Sequence, residues 1–290
     1  MWKPINNFIN GEKRYILNLS GGRDSVALLL KAIDDNLKID EVACFLCDWD
    51  YDSIRLNLDK CEKICKKNNI LFTRLKPKKD FDYLAFDEKR VDEDGNPKLE
   101  RGFCGIGAGR WGTGIKMALL DKNNKGKIPI TGLAFDEQKR LERTNNIKKI
   151  NWLVDWKMTE AEALEYCRKK GFKWLEKSRN GLYVDLYDIM DRTGCYCCGL
   201  SSLKTFYAIW KYLPSYWNKI IERQQKTTMK INTRLDAFEL EEKFENHESG
   251  KKLSSALKKC TNIPKYYSEE EYKEIMGINK GVSSGYNRQA

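Results

Sequence analysis

The sequence predicts an α/β fold: a mainly parallel, doubly wound sheet followed by a helical C-terminal region. Two observations carry this expectation. Short apolar runs alternate with amphipathic stretches from Tyr15 to Leu75, and the last third of the chain shows helical spacing with no strand pattern of comparable strength. Such alternation places helices on both faces of a parallel sheet.

Taken in order, Tyr15-Ile16-Leu17-Asn18-Leu19 reads as a short buried strand that runs directly into Ser20-Gly21-Gly22. From Ser25 the apolar spacing becomes helical, with Val26, Leu29, Leu30 and Ile33 on one face. Glu41–Cys47 forms the next strand, Asp52–Asn68 a helix and Ile70–Leu75 a third strand. Lys76–Gly114 breaks the rhythm: a turn-rich Asp92–Pro97 is followed by closely spaced glycines, the pattern of an active-site or mobile loop. A helix restarts over Ile115–Leu120, Ile128–Leu133 gives a further strand, and Lys149–Val154 is the candidate for a last one. Thr159–Glu162 fits a capping box that opens a helix to Lys170, and Ser268–Glu271 fits another. Two helices, Ser201–Tyr212 and Ser215–Gln225, are split by Pro214. The expected division is an α/β domain over 1–200 and a helical region over 201–290.

With 53 Lys and Arg against 42 Asp and Glu, the formal charge of +11 favours polyanionic partners. Because the charge is spread along the chain, it equally fits ordinary solvated lysines. No apolar run nears the ~20 residues of a membrane helix. Met1–Arg14 has no secretory pattern, so a cytoplasmic protein without disulfides is expected.

The strongest local signal is strand, Ser20-Gly21-Gly22-Arg23-Asp24-Ser25, helix. Glycines let consecutive N–H groups face an anion, and the helix start adds partial positive charge. Ser20 and Ser25 offer hydroxyls. Asp24 is a candidate for Mg²⁺ or for a helix cap. The hexapeptide resembles the SGGxDS loop of PP-loop ATP pyrophosphatases. Three later segments are similar to the phosphoadenosine-phosphosulfate reductase branch, which includes DNA phosphorothioation relatives. Arg110-Trp111-Gly112-Thr113-Gly114-Ile115-Lys116 resembles RWCTxxLK, Gly132 to Arg140 resembles GIRxDExxxR, and Arg192 to Cys198 resembles RxGCxxC. Gly112 stands where that branch often has Cys, Ala134 where it often has Arg, and Arg23 replaces a commoner Lys. The Glu-Cys-Gly-[Ile/Leu]-His segment of the true reductases is missing, and Cys260 does not match it.

The resemblance implies a Rossmann-like, HUP-type domain that binds ATP and Mg²⁺. It implies nucleotide contacts at Ser20 to Ser25, Gly132, Glu137 and Arg140. Asp48, ending the second strand, is a further candidate for ribose or Mg²⁺, or a cap of the next helix. Arg110, Lys116 and Arg140 are candidates for neutralising phosphate charge.

Among ten cysteines, Cys44, Cys47, Cys61, Cys65 and Cys167 fall in apolar-patterned segments and read as core. Cys195, Cys197 and Cys198 form a cluster whose CxxC spacing suits a metal or sulfur chemistry, with Cys104 as a further candidate ligand. A [4Fe–4S] cluster, Zn²⁺ and a metal-free thiol pair all remain open. With a single histidine, His247, a His-based triad has little material.

The leading expectation is an ATP-dependent adenylating enzyme that forms AMP and pyrophosphate. It would activate an oxygen for sulfur transfer, with Asp24, Lys116, Cys195 and Cys198 as catalytic candidates. DNA or tRNA is the candidate substrate, and a sulfur-donor protein a candidate partner. The alternatives are a sulfonucleotide reductase and a non-catalytic nucleic-acid-binding module. The aromatic-basic stretch Phe206–Tyr212 bears on the last, although its spacing suits a helix core better.

Overall fold

The computed structural model describes residues 8–9, 12–105, 110–137, 140, 142, 149–232, 234–251, 257 and 263–278. Its centre is a four-stranded parallel sheet of β1 (Tyr15–Leu19), β2 (Glu41–Phe45), β3 (Leu71–Leu75) and β4 (Ile128–Thr131), in the order β3-β2-β1-β4. Each strand pairs in parallel, with Leu17 opposite Val42 on one side and opposite Ile130 on the other. β1, β2 and β4 are largely buried, whereas β3 is the exposed edge with Leu71 in solvent.

Helices cover both faces, as the sequence predicts. α1 (Arg23–Asp34) and α2 (Asp52–Lys67) join the main core, which holds Leu17, Leu19, Val26, Leu29, Val42 and Leu58. α3 (Trp111–Asn124) covers the opposite face, where Leu120 meets Ile16 and Ala43. The strand order reverses direction between β1 and β4. In open α/β sheets the crevice beyond the carboxyl ends at such a switch point is where ligands bind.

The helix that restarts after the loop begins at Trp111, four residues before Ile115. Its two glycines lower helix propensity, but Gly112 packs where a Cβ would lie 2.9 Å from the Phe81 ring and 3.0 Å from Cys104 Sγ. Tertiary packing overrides local preference there. The strand expected over Lys149–Val154 is reduced to one parallel bridge, Ile130 to Ile150. Beyond it the chain turns into the short helix α4 (Trp152–Asp155). Asn151, bonded through its side chain to Thr131 at 2.6 Å, marks that change.

The capping box at Thr159 opens α5 (Glu160–Lys169). A second, antiparallel sheet follows: β5 (Leu175–Lys177), β6 (Tyr183–Asp185) and β7 (Tyr266–Tyr267), with β6 in the middle. Its strands are too short for a sequence pattern to reveal. After α6 (Leu186–Ile189) come α7 (Leu203–Tyr212), α8 (Pro214–Gln224), α9 (Ala237–Glu248) and α10 (Glu269–Met276). Pro214 sits in the first turn of α8, where its missing N–H costs nothing. Ser268 caps α10 as expected. The segment from Lys76 to Gly114 contains a π-turn at Tyr83–Asp87 and a two-residue hairpin, Arg90–Val91 with Pro97–Lys98. Gly107 and Gly109 lie outside the described residues, as does Cys260. Among the described residues no helix is long and apolar enough to cross a membrane.

Candidate functional site

The loop after β1 turns sharply because Gly21 adopts φ +79°, in the left-handed region, and a Cβ there would lie 2.8 Å from Ile54. Hydrogen bonds then fix its shape. Ser20 N–H donates to Ser25 Oγ at 3.1 Å, the two hydroxyls lie 3.0 Å apart, and Ser25 Oγ donates to Gly22 O at 3.0 Å. From the far side Trp174 Nε1 donates to Gly21 O at 2.8 Å, and Tyr187 Oη accepts from Arg23 N–H at 2.9 Å. Thr193 Oγ1 lies 2.9 Å from the same Tyr187 hydroxyl.

Gly132, just past β4, completes the contact across the switch point. A Cβ on it would sit 2.9 Å from Ser25 N and Cα, so only a bare backbone can approach this closely. Ser20, Gly22, Arg23, Asp24, Gly132, Glu137, Arg140, Glu160, Tyr187 and Arg192 line a cleft of about 180 Å³. Within it, the carboxylates of Asp24, Glu137 and Glu160 lie within 4.8 Å of one another. Three guanidinium groups answer them. Arg23 meets Glu160 at 2.5 Å, Arg140 meets Glu137 at 2.5 Å and Arg192 meets Glu137 at 2.9 Å. Glu137 Oε2 is buried with no hydrogen-bond partner, and Asp24 Oδ1 faces Arg23 Nε at 3.5 Å, an ion pair too long and poorly aligned for a good hydrogen bond. Burial raises the Asp24 carboxyl to about 6; Arg23 opposes the shift, and the Glu160 and Glu137 charges add to it. A cluster of hard oxygen ligands at the start of a helix suits Mg²⁺ together with phosphate.

A second group lies past the end of β2. Cys47 Sγ and Cys195 Sγ are 3.7 Å apart, and Cys195 Sγ lies 3.8 Å from Asp50 Oδ1. Burial raises Asp50 to about 6, and Lys116 pulls it down. The Cys195 thiol is pushed up by its bond to Cys47 and by burial. Cys47 is drawn down by its bond to Cys195, but burial leaves it raised. Lys116 on α3 acts on both Asp50 and Cys195, so it sides with the thiols.

The remaining candidates spread out. Cys197 is wholly buried beside Arg223 and Asp82. Cys198, raised to about 11 by burial, feels the charges of Cys195, Cys104 and Arg110. Cys104 fills the space beside Gly112, where the resembling branch often carries its own Cys. Asp48 is exposed and accepts from Phe81 N–H at 3.1 Å, while Tyr51 occupies the cap position of α2. Cys44, Cys61, Cys65 and Cys167 are buried.

A [4Fe–4S] cluster asks for a set of thiolates. Among the described residues, the one cysteine-containing group whose ligand atoms converge within 4.8 Å is Cys47, Asp50 and Cys195, with two sulfurs and one carboxylate. Two sulfurs this close suit a single ion, whereas a cubane binds its cysteines through different irons and holds them wider apart, so this group is not by itself a cubane's ligand set.

Sequence reasoning missed Glu160, Tyr187, Cys47 and Asp50. Glu160 was hidden inside a capping box. A faint signal for the last two was Cys47-x-x-Asp50 at the carboxyl end of a strand.

No protein-family model matches the chain, and no curated protein matches it. Among solved structures it is similar to the U34-tRNA thiolase NcsA from Methanococcus maripaludis with its [4Fe–4S] cluster. The identity is 14%, the TM-score 0.37, and the match covers 81% of this chain and 71% of that one. So distant a likeness says nothing of this chain's activity.

Proposed function

We propose that the chain is an ATP-dependent adenylating enzyme that cleaves ATP to AMP and pyrophosphate and activates a substrate oxygen for sulfur transfer. The observation that carries the ATP reading is the cleft at the switch point. There Gly132 closes on the Ser20–Ser25 loop, and three carboxylates and three arginines converge. The quoted motifs, in their order along the chain, support the same reading.

In this proposal Ser20 and the start of α1 hold the phosphates. Mg²⁺ bound by Asp24, Glu137 and Glu160 would neutralise phosphate charge as pyrophosphate departs. Arg23, Arg140 and Arg192 now engage those carboxylates; with the carboxylates committed to a cation, they are the groups that turn to phosphate oxygens. The attacking oxygen meets the α-phosphorus in line with the leaving pyrophosphate, and the loop contributes chiefly by orientation. Displacement of AMP by a sulfide-level sulfur nucleophile from a donor protein then completes the transfer, with Cys195 on the loop after α6 and Lys116 on α3 as candidates to position it. The formal charge of +11 favours DNA or tRNA as the substrate class.

The test is incubation of α-labelled ATP with Mg²⁺ and either tRNA or DNA, with AMP and pyrophosphate separated. Nucleic-acid-stimulated AMP formation that Asp24→Asn abolishes supports the proposal. Cleavage to ADP, or sulfite release from a nucleotide sulfate, contradicts it.

A further inference from the structure

We propose that Cys47, Asp50 and Cys195 form a mononuclear site for a thiophilic divalent metal of the Zn²⁺ type. This site differs from the Cys104, Cys195, Cys197 and Cys198 set that the sequence suggests. The inference does not depend on the nucleotide reading.

Geometry is its first support. Zinc binds thiolate sulfur at about 2.3 Å in tetrahedral sites, which puts two sulfurs on one ion about 3.8 Å apart. Cys47 and Cys195 stand at 3.7 Å. The Asp50 oxygen completes a triangle, 3.8 Å from Cys195 Sγ. A cubane would bind its cysteines through different iron atoms and hold them wider than this pair.

The second support is that the ligands are held by other parts of the chain. Asp50 N–H donates to Cys47 O at 3.1 Å, which closes a turn and aims both side chains the same way. Cys47 N–H donates to Asp50 Oδ2 at 3.1 Å, so Oδ1 is the oxygen left facing Cys195. Trp49 N–H points at Cys47 Sγ at 3.4 Å, a contact that favours sulfur carrying negative charge. The third ligand comes from a separate loop, pinned by Tyr196 N–H to Trp49 O at 3.0 Å. Behind these, Arg223 forms a bidentate pair with Asp82 at 2.7 Å, and Asp82 Oδ1 also accepts from Trp49 Nε1 at 2.7 Å. Outer contacts of this kind orient metal ligands.

The donor set also argues for the metal's class. Two thiolates and one carboxylate are too soft for Mg²⁺ and suit Zn²⁺ or a close relative. Three protein ligands are the count of a catalytic rather than a structural zinc site, with the fourth position open to water or a substrate sulfur.

The test is titration of the chelator-treated full chain with Co²⁺ alone, followed by visible and near-ultraviolet absorption. Far-ultraviolet circular dichroism checks that every variant is folded. The expected result is one equivalent of tetrahedral Co²⁺ with a sulfur-to-metal charge-transfer band. Folded Cys47→Ser and Cys195→Ser each weaken that band and lose stoichiometric binding. Asp50→Asn keeps the band but lowers affinity tenfold or more, and Cys104→Ser and Cys198→Ser leave the spectrum unchanged. The inference is overturned if no Co²⁺ band forms. It is equally overturned if Cys104→Ser or Cys198→Ser abolishes the band while Cys47→Ser leaves it intact.

Discussion

The phosphate-loop cleft and the thiol group lie past the carboxyl ends of neighbouring strands, β1 and β2, yet they are built in opposite ways. The loop's turn is closed by hydrogen bonds among residues 20 to 25, and Trp174, Tyr187 and Gly132 brace it from outside. The thiol group exists only because the fold brings Cys195 back across 148 residues to Cys47. The cleft gathers hard oxygens, and the thiol group gathers sulfur with one carboxylate. Two donor sets of unlike hardness thus stand at one end of the sheet, with Lys116 acting on the second.

The largest expected effect concerns the frame behind the thiol group. Glu176 is buried and accepts from Ser53 N–H, at the start of α2, and from the Tyr216 hydroxyl. Burial raises its carboxyl from 4.5 to about 7. The folded state therefore keeps a proton that the unfolded chain releases above pH 4.5. Stability from this group is fully present below about pH 4.5 and declines toward pH 7, by on the order of 3 kcal/mol. Glu176→Gln should flatten the decline, as read by chemical denaturation across that range. An unchanged slope would remove Glu176 as its source.

Next in size is Gly132→Ala. Its methyl group would press on the backbone of Ser25 rather than on a movable side chain. A loss of about 1–3 kcal/mol is expected, with ATP binding weakened and Co²⁺ binding at the thiols retained. Calorimetric titration with each ligand separates the two. Loss of both together would mean that the sites are one unit.

Asp24 is expected to set the pH dependence of the cleft. With its carboxyl raised to about 6, Mg²⁺-dependent ATP affinity should fall as pH drops through 6. The fall is up to about tenfold per unit, or ~1.4 kcal/mol. In Asp24→Asn the fall should be shallower, leaving only the slope from protonation of the ATP terminal phosphate, which titrations at several pH values would show.

The smallest effect is a control. Gly114, in the first turn of α3, has nothing within 4 Å of an added Cβ. Gly114→Ala should therefore stabilise the chain by about 0.5–1 kcal/mol through helix propensity alone, read as a raised midpoint of thermal unfolding. Destabilisation would mean that α3 needs its glycine for contacts beyond the helix.

What the sequence made legible follows the same contrast. β1, α1, β2, α2 and β3 came from local periodicity, and the Rossmann-like order followed from their alternation. The hexapeptide was readable because its chemistry is contiguous. The two-residue strand Tyr266–Tyr267 was not, since its pairing with Tyr183–Val184 is a tertiary fact. Trp111–Gly114 reads as loop by propensity and is helix because Phe81 and Cys104 pack against Gly112. Cys47 looked like a core residue by its neighbours, and it is buried. Only the return of the Cys195 loop, tied by Tyr196 to Trp49, gives it a second thiol.

The most direct test of the two-site account is ATP titration, with and without Mg²⁺, into wild type, Asp24→Asn and Cys195→Ser. The account predicts Mg²⁺-dependent ATP binding in wild type, unchanged binding in Cys195→Ser and loss of the Mg²⁺ dependence in Asp24→Asn. ATP binding that survives Asp24→Asn with its Mg²⁺ dependence intact, or that disappears in Cys195→Ser, would contradict it.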